Sequence, residues 1–150
     1  KVMSPPVALN TIAIPWGNTY TTTLEAKALD TMKEMNRNLY THVPVIDNGR
    51  IIGVFSENTI FSYLSKNEDV IFEKDFLINE FSDFIPIDKN KSEYFEFVHR
   101  NITVIEVEEM FKEGIKNNKR LAAIFITETG SQKEKLLGLL TIWDLSVYDK

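Results

Sequence analysis

Two octapeptides share one layout. Gly53-Val54-Phe55-Ser56-Glu57-Asn58-Thr59-Ile60 and Gly138-Leu139-Leu140-Thr141-Ile142-Trp143-Asp144-Leu145 lie 85 residues apart (138 − 53, 141 − 56 and 144 − 59). In each, a short apolar run ends at Ser or Thr, residues whose hydroxyl caps a helix by accepting a bond from a first-turn N–H. An internal repeat constrains architecture more than a single motif does, because each copy is one supersecondary unit that buries its apolar face against a neighbour. Upstream, Thr22-Thr23-Leu24-Glu25 and Thr103-Val104-Ile105-Glu106 both fit the capping box Thr-x-x-Glu and predict helix starts 81 residues apart (103 − 22). The extra four residues of the second copy belong in its hairpin.

Hydrophobic spacing fills in the rest. Pro5, Pro6 and Pro15 make the first 21 residues extended or irregular, with a short strand over Ile12, Ile14 and Trp16. A helix from Thr22 to about Asn38 sets Leu24, Ala28, Met32 and Met35 on one core-facing stripe. Val43–Ile46 and Ile51–Phe55 flank Asp47-Asn48-Gly49-Arg50, a hairpin signal because Asn-Gly tolerates positive φ. Pro44 cannot donate to a ladder, which predicts an edge or a break at that end of the strand. Ser56 then caps a helix to about Lys66. A short helix is expected around Asp75–Phe81. The second copy reads as a strand over Glu93–Val98, a helix from Thr103 to about Asn117, and strands Leu121–Ile126 and Leu136–Leu140 joined by the polar tip 129–135. Its last helix is truncated about two turns in. The fold class is α/β (α+β), each half reading strand–helix–strand–strand–helix, with an approximate two-fold axis relating the halves. The expected division is residues 1–87 for the N-terminal segment and first repeat, and 88–150 for the second.

Composition removes several function classes. The chain has no cysteine, which excludes disulfides, thiolate catalysis and zinc–sulfur sites. A formal charge of −5 with scattered basic residues argues against nucleic acid, and no apolar run is long enough for membrane insertion. A cytoplasmic location is the expectation. The two histidines, His42 and His99, have no metal-ligand spacing. Neither a glycine-rich phosphate loop nor a nucleophile elbow is present, so no enzyme activity is expected and no cofactor is required.

The chemistry that does stand out is at the second glycine turn. A helix N-terminus beginning at Thr141 offers backbone donors to a phosphate, and Asp144 offers a carboxylate to a vicinal diol such as ribose. The same turn in a protein without a ligand is an ordinary strand-to-helix junction, favoured by the helix dipole.

The order β-α-β-β-α, repeated twice, with Val43-Pro44-Val45-Ile46-Asp47 before the first hairpin turn and Gly138-Leu139-Leu140-Thr141-x-x-Asp144-Leu145 after the second, resembles a tandem pair of CBS (cystathionine-β-synthase) domains, a Bateman module. The resemblance covers the chain from about Ile12 onward. It implies a regulatory module that binds an adenine nucleotide (AMP, ADP or ATP) or S-adenosylmethionine in the cleft between repeats and transmits a conformational change. Carried over residue by residue, Thr141 meets the phosphate, Trp143 exposes its backbone N–H nearby, Asp144 holds the ribose, and Tyr40, Thr41, His42 and Val43 edge the base. The first repeat departs from the pattern, with Thr59 where the family has Asp. A second, weaker cleft of Ser56, Thr59, Arg120 and Leu121 is therefore expected to be degenerate, giving one nucleotide per chain or none. The alternative reading is a ligand-free scaffold that dimerises through its helices, as such pairs often do.

Overall fold

The computed structural model describes residues 4–142 and residue 144. In chain order the elements are α1 (Ala8–Thr11), β1 (Ile14–Pro15), α2 (Ala28–Asn38), β2 (His42–Asp47), β3 (Arg50–Ser56), α3 (Glu57–Lys66), β4 (Glu93–His99), α4 (Val104–Glu113), β5 (Ile115–Lys116), β6 (Lys119–Thr127) and β7 (Gly138–Leu140). They fall into two units, Tyr20–Asn90 and Lys1–Thr19 with Lys91–Lys150.

In the Tyr20–Asn90 unit, β2 and β3 form the expected hairpin, with His42 opposite Ser56 and Asp47 opposite Arg50. Asn48 and Gly49 both hold positive φ, 53° and 78°, the pair of left-handed residues that a two-residue turn between twisted strands demands. Among the described residues, the second side of β2 is met by a single parallel bridge, from Thr22 to Val45. Pro44 fits there because it accepts from Thr22 N–H and is asked to donate nothing.

That bridge corrects the predicted start of α2. Thr22 is drawn into the sheet, and its buried hydroxyl lies 2.9 Å from that of Thr31. Residues 24–27 then run antiparallel to the segment around Leu77, with Ala28 N–H on Phe76 O and Ile78 N–H on Ala26 O. The helix begins at Ala28, with no side-chain cap on Lys27. The Thr-x-x-Glu match at Thr22 is thus not a cap, and the two N-caps, Lys27 and Thr103, lie 76 residues apart rather than 81. The predicted helix at Asp75–Phe81 is instead a 3-10 turn over Ile78–Phe84. Phe81 sits at its centre, its ring 4.7 Å from Tyr63 and 5.2 Å from Phe55, and the core of the unit gathers Val43, Val45, Phe55, Ile78 and Phe81 around it.

The second unit is a five-stranded sheet in the order β1-β7-β6-β4, with β5 also on β6. Strand β4 runs parallel to β6, and the others are antiparallel to their neighbours. Central strand β6 is buried continuously from Ala123 to Thr127, the pattern of a strand covered on both faces. Here the predicted capping box is real: Thr103 Oγ1 accepts from Glu106 N–H while Glu106 Oε1 accepts from Thr103 N–H. Helix α4 ends at Glu113, four residues before the expected end. Gly114 follows as its C-cap, and Asn117 and Asn118, both at positive φ, turn the chain from β5 into β6.

The N-terminal segment does not stay with the first repeat. Strand β1 pairs with β7, Ile14 opposite Leu139 and Pro15 opposite Gly138, and Val7 bridges Thr103. Residues 1–19 accordingly group with residues 91–150, where the sequence division had placed them with the first repeat. Ala8, fully buried, joins Ile102, Val104, Ile124 and Ile126 in that core. Among the described residues, no helix is long and apolar enough to cross a membrane.

Candidate functional site

Strand β7 delivers the chain to Thr141 at the edge of a sheet core in which Leu140 is fully buried. At that point Asp144 Oδ2 accepts both the backbone N–H of Thr141, at 2.6 Å, and its hydroxyl, at 3.1 Å. Asp144 N–H returns a bond to Thr141 O. The carboxylate is therefore pinned over Thr141 by one oxygen, and neither of these bonds uses Oδ1. Burial pushes the Asp144 carboxyl above its usual 3.8, and the two bonds from Thr141 act against that rise. A half-buried carboxylate with one oxygen committed to its own backbone is oriented before any ligand arrives. Such an acceptor forms charge-assisted bonds to hydroxyl donors. Trp143, the third residue assigned to this turn, lies outside the described residues.

The corresponding turn of the Tyr20–Asn90 unit is built differently. Ser56 Oγ accepts from Thr59 N–H at 3.3 Å, Thr59 Oγ1 accepts from Ser56 N–H at 3.0 Å, and the same Thr59 hydroxyl donates to Val54 O at 3.3 Å. Ser56 is 1% and Thr59 3% exposed. The hydroxyls that the sequence offered to a ligand are consumed as structural caps inside a core. Of the other residues assigned to this weaker site, Arg120 and Leu121 are on β6 in the second unit. Leu121 is buried, and Arg120 donates to Glu93 Oε2 at 3.2 Å across the β4–β6 pair.

Tyr40, Thr41, His42 and Val43 are brought together where α2 hands over to β2. Leu39 takes a left-handed conformation, φ 59°, to end the helix, and the chain turns so that Thr41 Oγ1 and His42 Nδ1 lie 2.8 Å apart. The Tyr40 ring stacks on Tyr20 with centroids 5.6 Å apart and planes 17° from parallel. Val43 points into the core with no exposure, so its contribution to any ligand is confined to its backbone. Beside this junction is an open pocket of about 260 Å³, whose walls include Met32, Met35, Leu39, Tyr40, Thr41 and Ile60, with Asn36 and Glu57 as polar members. The helical spacing of Met32 and Met35 predicts core stripe. Met35 is buried as expected, whereas Met32 is half-buried and opens onto the pocket. No sequence signal separates the two, since both methionines fall on the same helical face.

Among the described residues there is no group of three or more His, Asp or Glu side chains that could hold a metal ion.

Set beside known proteins, residues 1–66 match the family model of the CBS domain. Over those residues the chain is similar to a CBS domain. The second copy is supplied by structural likeness. The CBSX2 structure in complex with AMP superposes with a TM-score of 0.65 at 13% identity, covering 96% of each chain. The CbpB structure in complex with c-di-AMP gives 0.65 at 16% identity, covering 92% of this chain and 81% of that one. The CBS domain pair of MJ0100, in complex with 5′-methylthioadenosine and S-adenosyl-L-methionine, gives 0.60 at 15% identity over 97% of each. No curated protein matches the sequence significantly. The fold is that of the solved CBS pairs, and β4, α4, β6 and β7 lie beyond the residues that the family model matches.

Proposed function

We propose that this CBS pair is a regulatory module that senses an adenosyl-containing small molecule, the ribose diol being held by Asp144 and the phosphate or its equivalent by the Thr141 turn. The observation that carries this reading is the Thr141–Asp144 arrangement, a pinned, half-buried carboxylate at the turn that follows β7. Support comes from the structural relatives, which hold AMP, c-di-AMP, 5′-methylthioadenosine or S-adenosyl-L-methionine. Tyr40, Thr41, His42 and the Val43 backbone are assigned to the base. One ligand per chain is the expected stoichiometry, because Ser56 and Thr59 bond each other and are buried. The module acts in the cytoplasm and has no catalytic role of its own. A ligand transmits a signal only through its difference in affinity for two arrangements of the protein. Titration calorimetry of the whole chain with AMP, ADP, ATP and S-adenosylmethionine tests the reading. Binding that Asp144→Ala leaves undiminished overturns the site.

A second reading, a homodimer formed through the helices, is favoured by a separate observation. On α3, Phe61 is 71% and Leu64 41% exposed, one helical turn apart on the outer face. Sedimentation at increasing concentration tests it. Dimerisation together with a melting temperature unmoved by millimolar nucleotide would leave the scaffold role alone, since a ligand of the native state must raise stability.

A further inference from the structure

We propose that residues 4–19 are a strap whose docking onto the second unit is linked to occupation of the Thr141 turn; this rests on the ligand-sensing reading above and adds its output element. The strap is fastened at two places, one at the start of α4 and one along β7, the strand that leads into the candidate site. Ala8 N–H donates to Ile102 O at 2.9 Å and Val104 N–H donates to Pro6 O at 3.0 Å, holding the strap against the first turn of α4. Trp16 N–H donates to Leu137 O at 2.9 Å, and Ile14 and Pro15 pair with Leu139 and Gly138. Between these anchors the strap lies directly on Gly138: a Cβ there would come within 2.9 Å of Leu9 Cδ1 and 3.3 Å of Ile14 O. Strand β7 is only three residues long, and Thr141 is its next residue. It has two hydrogen-bonded neighbours, β6 and the strap. Releasing the strap turns β7 into an edge strand and loosens the backbone that aims Thr141 and Asp144.

The strap is also the weaker partner. Its helix is a single turn with no side-chain cap, its strand is two residues long, and Trp16 is 41% exposed. Segments with few bonds and exposed backbone open first. Coupling is reciprocal: if the strap tightens the turn, a ligand on the turn must tighten the strap by the same factor.

The test compares Trp16→Pro with Trp16→Ala. Trp16 opens a 3-10 turn after an extended Pro15, a position where proline fits, so Trp16→Pro removes the N–H that holds Leu137 while Trp16→Ala keeps it. Both lose the indole. Calorimetry with AMP and S-adenosylmethionine should show about fivefold or greater loss of affinity in Trp16→Pro relative to Trp16→Ala. In the unsubstituted chain, hydrogen exchange of peptides spanning residues 4–16 should slow when the same ligands are added, a readout that survives even if Trp16→Pro fails to fold. Binding with equal affinities in the two variants, or with unchanged exchange in the strap, overturns the linkage and leaves the sensor reading standing. Absence of any binding by the unsubstituted chain overturns both.

Discussion

Thr141 gives both of its hydrogen-bond donors, backbone N–H and hydroxyl, to a single oxygen of Asp144. This pins the carboxylate without using its second oxygen, so removing the acid removes an oriented acceptor rather than a mobile one. Hydrogen bonds to a charged group contribute about 1.5–3 kcal/mol. Asp144→Ala should therefore weaken binding of AMP or S-adenosylmethionine about 10- to 100-fold, read by calorimetry, with helix content unchanged by circular dichroism.

The same carboxyl sets a pH dependence whose sign follows from its burial. Its folded pKa is raised above 3.8, with desolvation the largest cause. A raised carboxyl binds its proton more tightly in the folded state, so its contribution to stability is full below 3.8 and is lost as pH rises through the raised value. Urea unfolding of the unsubstituted chain and of Asp144→Asn across that window should show the difference between them moving against the acid as pH rises. Ligand affinity runs the other way: a diol bonds the ionised form, so affinity should fall as pH drops through the raised pKa, and this acid limb should vanish in Asp144→Asn.

Thr59 is the position where the first repeat departs from its partner, and the structure gives the departure a physical content. Its hydroxyl both accepts from Ser56 N–H and donates to Val54 O, in a setting 3% exposed. A carboxylate could accept but not donate, and it would face the Val54 carbonyl from inside a core. Thr59→Asp should cost about 1–3 kcal/mol in urea unfolding and should not create a second nucleotide site by calorimetry.

Two identical sequence patterns met different fates, and the contrast shows what local reading can and cannot reach. Thr103-x-x-Glu106 forms the box, and Glu106 is held below the usual carboxylate range, chiefly by the Thr103 backbone N–H. Thr22-x-x-Glu25 forms none, because Thr22 pairs with Val45 and the following residues pair with the segment around Leu77. These partners are 23 and about 50 residues away in sequence, and no pattern within four residues reports them. The hairpin at Asn48-Gly49, the Ser56 cap and the pairing of β6 with β7 across its polar tip were legible because their causes are local. The strap was not, since the partner of Ile14 is Leu139. Of the candidate site, the Thr141–Asp144 pair was legible as a motif, while the pocket beside Tyr40 depends on how α2 and α3 meet. Glu106→Ala should lower the melting temperature by removing one half of the capping box, whereas Glu25→Ala should leave it close to that of the unsubstituted chain; thermal unfolding of the two variants side by side checks both.

Gly53 and Gly17 make the last contrast, because they separate a glycine required by packing from one that is not. Gly53 lies on β3 where the chain passes the end of the 3-10 turn, and Val54 N–H donates to Ile85 O at 2.9 Å. A Cβ on Gly53 would sit 2.0 Å from that same oxygen and 2.5 Å from the carbonyl carbon. Both are backbone atoms and cannot rotate aside, so the strand and the turn must separate. That motion breaks the Val54–Ile85 bond and opens the core in which Phe55, Phe81 and Ile85 are buried. Gly17, by contrast, has nothing within 4 Å of the equivalent position and no positive φ. Alanine there restricts the unfolded chain without a folded-state clash, an effect of about 0.4–1 kcal/mol in favour of folding where the backbone is compatible. Gly53→Ala should therefore lose at least about 3 kcal/mol, a size reached only by strain or disruption of a core, while Gly17→Ala should be neutral or slightly stabilising. Denaturant unfolding of both variants decides the matter, and a Gly53→Ala protein as stable as the unsubstituted chain would show that β3 does not pass Ile85 at this distance.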